Sequence, residues 1–182
     1  MRFITLLFTT ILFFLYLSGH GQTNIAEQDF DSDNSWSFSN DVSFFSHEGS
    51  NTSNNVYPQP DGWNDDGFYG EINLFDTNNK FSSTNFSGRI IGASDLDDET
   101  DFGDPNATLT FAQQSVTGFN NVEISFDYET VGFDGSDELE YRLIEDGVAG
   151  TFVALPKNSP GGGTKTINVN ATNNVELEIK IT

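Results

Sequence analysis

The chain has 182 residues, 28 of them Asp or Glu against 7 Lys or Arg, giving a formal net charge of −21. A field of that sign repels phosphate backbones, so contact with nucleic acid is disfavoured and divalent cations, cationic surfaces or neutral ligands are favoured. No cysteine is present, which excludes thiol catalysis, cysteine-ligated zinc and disulfides, and 2 histidines are too few for a histidine-rich metal site.

The first element is a leader. Met1-Arg2 supplies a positive charge, residues 3–17 are almost wholly apolar, and Ser18-Gly19-His20-Gly21 places small residues at the −3 and −1 positions of a cut after Gly21. This is the pattern of a secretory signal peptide. The apolar run stops short of the roughly 20 residues of a membrane-spanning helix. Residues 22–182 are therefore expected to form a single secreted domain, extracellular and without membrane attachment. His47 would be the histidine left to a Ser-His-Asp triad, and no nucleophile elbow accompanies it. The expectation is a protein that is not an enzyme.

Beyond the leader, no amphipathic helix of useful length is visible. Apolar and polar residues alternate with period two between Gly, Asn, Asp and Pro clusters, the mark of half-buried strands. In chain order, strands are expected near 25–30, 36–45, 68–75, 89–94, 107–111, 122–128, 139–143, 152–155, 166–170 and 175–181. In 122–128, Val122, Ile124, Phe126 and Tyr128 share one face, and Glu123, Ser125 and Asp127 the other. So many short strands, each with one apolar face, predict an all-β fold: a two-sheet antiparallel sandwich with a jelly-roll-like topology, or an immunoglobulin-like sandwich as the alternative. The 18 phenylalanines can fill such a core, and Trp36 is expected to be part of it. Glu145-Asp146-Gly147 reads as a hairpin turn. Residues 156–163, with three consecutive glycines, read as a loop, and residues 46–66 as a long polar loop. The last strand ends at the chain terminus without a cap, so the domain is expected to be truncated at its C-terminal side.

Two acidic stretches suggest a cation. Asp95, Asp97, Asp98, Glu99 and Asp101 follow the strand at 89–94, and Asp134 and Asp137 follow the strand at 122–128. Loops at one end of a sandwich come together. Hard oxygen ligands on flexible loops suit calcium, which takes six to eight oxygens, better than magnesium. The alternative is that both are solvated acidic loops. Asp29-Phe30-Asp31-Ser32-Asp33 starts like an EF-hand loop but has Asn34 where the loop needs Gly and Asn40 where it needs Glu.

Aromatic residues suggest a sugar ligand. Trp63, Phe68 and Tyr69 lie in or beside the long polar loop, where a ring can stack on a pyranose while Asn and Asp side chains bond its hydroxyls. Trp63 could equally cap the end of the sandwich. Glu123, Asp127 and Glu129 lie on the same face of one strand, where neighbours at i and i+2 stand about 6–7 Å apart, near the separation that retaining glycosidases use. Their face is the polar outer one, which leaves no burial to raise a carboxyl pKa.

Trp36-Ser37-Phe38, Phe44-Phe45, Gly67-Phe68-Tyr69-Gly70, Gly92-Ala93-Ser94-Asp95-Leu96-Asp97-Asp98, Ile124-Ser125-Phe126-Asp127-Tyr128 and Gly132-Phe133-Asp134 follow one another in an order that resembles accessory β-sandwich modules of large secreted proteins from Bacteroidota-type marine bacteria. The resemblance spans residues 29–147. It implies a jelly-roll-like, non-catalytic module in a longer exported chain, beside a nuclease, another hydrolase or adhesive repeats, and names no ligand. Such modules end in a further strand with a Gly-Phe-Asp-Asn-type sequence, which does not occur here after residue 182. Together these features lead to the expectation of a secreted module for polysaccharide or extracellular matrix, with calcium-stabilised loops. The alternative is a structural or adhesive domain with no small ligand of its own, next to a catalytic neighbour.

Overall fold

The computed structural model describes residues 23–30, 35–41, 68–73, 83, 85–94, 106–133 and 135–182. Ten strands occur among them: β1 (Phe38–Asn40), β2 (Phe68–Asn73), β3 (Arg89–Ser94), β4 (Ala107–Ser115), β5 (Glu123–Thr130), β6 (Leu139–Glu145), β7 (Val148–Ala149), β8 (Val153–Ala154), β9 (Ser159–Asn168) and β10 (Asn174–Ile181). No helix of the described residues is long and apolar enough to cross a membrane. Every strand pair is antiparallel. The all-β expectation holds.

The strands form a six-stranded sheet in the order β1-β4-β10-β6-β7, with β8 also on β6, and two ribbons, β2-β3 and β5-β9. Alternation on β4 and β10 sets the register of the large sheet. Phe111 lies opposite Leu177, which lies opposite Leu143 on β6; Leu109 lies opposite Ile179, which lies opposite Tyr141. A slip of one residue would turn both apolar rows to solvent. Leu109, Phe111, Tyr141, Val175 and Leu177 are buried in one cluster with Val116, Ile124 and Leu155, and Phe126, Tyr128 and Ile167 of the β5-β9 ribbon pack against it. The Phe126 and Tyr141 rings meet edge to face with centroids 5.9 Å apart, a geometry worth about 1 kcal/mol beyond burial. Trp36 joins the core as expected: its ring packs on Phe111 and its Nε1–H donates to the Ala112 carbonyl at 2.6 Å.

The other face of the large sheet is a ladder of charge. Arg142 pairs with Glu178, and Lys180 lies 3.4 Å from Glu140, both across neighbouring strands. The Phe152 ring sits beneath Arg142 and beside Lys180. On the ribbon, Lys165 lies opposite Phe126 and so shares its inward face, with Nζ 5.1 Å from the Tyr141 ring centroid.

Three local expectations are revised. Residues 25–30 form no strand; Gln28 makes an isolated bridge, with its side chain held between Trp36 O and Phe30 N. The 36–45 strand is limited to Phe38–Asn40 among the described residues. The glycine run expected in a loop lies inside β9. Here the register against β5 shifts between Tyr128 and Thr130, and Gly162 takes φ +67°, where a Cβ would lie 2.6 Å from the Tyr128 carbonyl oxygen. The glycines thus permit a bulge in a paired strand rather than ending it.

The Asp146-Gly147 turn is as expected. Glu145 pairs with Val148, and the two linking residues have φ 50° and 81°, the signs of a type I′ hairpin. Asp146 also fastens this turn to the next one. Its carboxylate accepts the backbone N–H groups of Thr172, Asn173 and Asn174 and the Thr172 hydroxyl, at 2.9–3.0 Å. These backbone bonds hold the Asp146 carboxyl well below the usual carboxylate range. A depressed folded pKa stabilises the fold above the unfolded value of about 3.9, and that contribution is lost as pH falls through the folded value. Asp146→Asn keeps a residue suited to the turn but removes the charge. It should lower the melting temperature at neutral pH and flatten the loss of stability below about pH 4, measurable by thermal denaturation across a pH series.

Candidate functional site

The ribbons leave an opening above the large sheet. A cavity of about 2130 Å³ is lined by Leu109, Leu177 and Ile179 of the sheet's inner face, by Ile91 of β3 and by residues of β5. Sites for single small molecules usually enclose about 300–1,000 Å³, so this space suits a longer ligand.

Polar groups lie around it. On the face of β5 opposite Phe126 and Tyr128, exposed Asp127 accepts a hydrogen bond from the Thr164 hydroxyl of β9 at 2.6 Å. Glu129 accepts one from Ser83, and the Ser83 oxygen in turn accepts the N–H groups of Asn85 and Phe86. The hydroxyl closes a turn in this segment, and Phe86 lines the cavity. Arg89 of β3 is 3.1 Å from the carboxylate of Glu71, a glutamate that is buried on β2. Glu71 shares the face of Tyr69, two residues away on the strand, so the guanidinium neutralises a charge on the covered side of the ribbon.

Between β4 and β5 the chain turns through Gly118-Phe119-Asn120-Asn121, with φ 85° at Gly118 and 56° at Asn121. Phe119 N donates to Val116 O at 3.1 Å. The turn holds the Phe119 ring at the cavity with 47 % of its surface exposed, and Asn120 and Asn121 line the same cavity. An accessible ring beside two side-chain amides is the combination sought in the sequence at Trp63. Its sequence signal was present, an aromatic residue inside a Gly-Phe-Asn-Asn turn, but nothing in the sequence places that turn beside a cavity.

The residues singled out from the sequence fare differently. Tyr69 is fully buried, packs with Ala107 and donates its hydroxyl to Asn40 at 3.1 Å. Burial, with a lesser contribution from the Asp41 charge, pushes its phenol well above the ordinary value. A ring with no open face cannot stack on a sugar, so Tyr69 is corrected from ligand contact to core. Phe68 opens β2 opposite Ser94. Trp63, Asp95, Asp97, Asp98, Glu99, Asp101 and Asp134 lie outside the described residues. Asp137 is half-buried just before β6. Its loop is met by Lys157, whose Nζ donates to Gly135 O at 3.2 Å and lies 4.0 Å from Glu138. Among the described residues, no group of three or more His, Asp or Glu is placed to share a metal ion.

No family model matches the chain, and neither does any curated protein or solved structure.

The Arg89–Glu71 pair gives the cavity wall a measurable dependence on charge. Arg89→Met leaves the Glu71 carboxylate buried beside a thioether and should destabilise the protein by about 3 kcal/mol. The double variant Glu71→Leu/Arg89→Met should recover most of that loss, as read from chemical denaturation midpoints.

Proposed function

We propose that this chain is a secreted, non-catalytic module with a jelly-roll-like two-sheet sandwich fold, and that it binds polysaccharide, free or in an extracellular matrix. The cavity receives the sugar chain, and calcium stabilises the acidic loops that follow β3 and β5. The half-exposed Phe119 ring, beside Asn120 and Asn121 on a cavity larger than a small molecule needs, supports this reading most directly. The apolar ring face suits the C–H face of a pyranose, and the amides can both donate to and accept from its hydroxyls.

A second reading is a structural or adhesive domain that packs beside a neighbouring domain and has no small ligand. Val148 supports it, standing 73 % exposed on β7 at the margin of the large sheet.

In polysaccharide pull-down assays, Phe119→Ala and Trp63→Ala should each weaken retention by roughly tenfold, the equivalent of about 1.4 kcal/mol. Unchanged retention in both variants, or retention on no glycan, would favour the second reading. Calcium in excess over its dissociation constant should raise the melting midpoint, because an ion held by the native state alone stabilises it by about 2.7 kcal/mol at a hundredfold excess. Identical midpoints with calcium and with chelator would remove the ion from the proposal.

A further inference from the structure

Two strands border the cavity along their length. Every residue from Glu123 to Glu129 of β5 lines it, and so does every residue from Arg89 to Ala93 of β3. A strand that turned only one face to the space would contribute alternate residues, so the unbroken runs mark strand edges. Among the described residues β5 pairs with β9 alone, and β3 with β2 alone. Each therefore presents to the cavity the backbone N–H and C=O groups that point away from its partner. Such an edge is a template for another strand.

We infer that the β5 edge takes an extended peptide of a partner protein, one in which apolar residues alternate with Lys or Arg. The alternation follows from the two faces of β5. Ile124, Phe126 and Tyr128 face the core, and the apolar residues of an added strand would continue that face over Leu177 and Ile179, which also line the cavity. Glu123, Ser125 and Asp127 face outward, opposite Asn168, Thr166 and Thr164 of β9. Opposite charges on adjacent strands attract across about 5 Å and like charges repel, so the outward residues of the added strand are basic. The same rule disfavours a second copy, because β5 set antiparallel on β5 about Ser125 puts Glu123 opposite Asp127. It also disfavours the remaining segments of this chain, since Lys80 is the one Lys or Arg of residues 23–182 outside those described. The inference does not rest on the glycan reading, which is tested at Phe119 and Trp63.

The full-length secreted chain is titrated with a labelled peptide of about eight residues, a common strand length, in which valine alternates with lysine. Binding is read by fluorescence anisotropy and by hydrogen exchange. The β5 amides that point away from β9 should exchange fast in the protein alone and about tenfold more slowly with peptide. A valine-glutamate peptide should bind about tenfold more weakly. So should the valine-lysine peptide methylated at every backbone nitrogen, which keeps the charge and loses about tenfold because main-chain bonds supply the affinity. Glu123→Lys with Asp127→Lys should reverse the preference between the two charges. Glu176→Lys, on β10 where the glutamate bonds Gln113, should leave it unchanged. Equal binding of the methylated peptide, or an equal effect of the β5 and β10 variants, would reduce the interaction to general attraction for an acidic protein and overturn the inference. Slow exchange of the same amides in the protein alone would also overturn it: persisting on dilution, it would assign the edge to a segment of this chain, and vanishing on dilution, to a second copy.

Discussion

The fold depends on two apolar rows that cross three strands, Phe111–Leu177–Leu143 and Leu109–Ile179–Tyr141. Each fully buried aliphatic or aromatic side chain contributes about 1.5–3 kcal/mol relative to exposure. A chain without disulfides has little else to offset the entropy of ordering its backbone. These rows fix the register of β4, β10 and β6, and the register in turn fixes what the opposite face carries. Thr110, Glu178 and Arg142 then fall in one line, and Thr108, Lys180 and Glu140 in the next. The ion pairs on that face contribute little individually, about 0–1 kcal/mol when solvated. They are a consequence of the register more than a cause of it.

The described cations are each set against a partner. Arg142 and Lys180 stand on the outer ladder, Lys157 against the acidic loop, Lys165 on the Tyr141 ring and Arg89 with Glu71.

Strand content was legible because its signal is local. Val122–Tyr128, Leu139–Leu143 and Val175–Ile181 alternate cleanly, and all three are strands. The hairpin at Asp146-Gly147 was legible for the same reason, since the turn needs two residues that tolerate positive φ. The glycines at 161–163 misled because a loop and a bulged strand require the same backbone freedom. Only the pairing of Tyr128 with Gly163 and Thr130 with Ser159 distinguishes them. Tyr69 misled because a position beside a polar loop gives no information on which side of a ribbon the ring faces.

Sequence by itself determined that this is an acidic, cysteine-free chain of short antiparallel strands with turns at set places, since composition and period-two alternation act through neighbouring residues. Tertiary structure alone decided that Tyr69 is sealed in the core, that Asp146 ties together two turns separated by 26–28 residues, and that Phe119 and Arg89 line one cavity. Those relations join residues far apart in the chain, and no local pattern encodes a distance that exists only after the strands have paired.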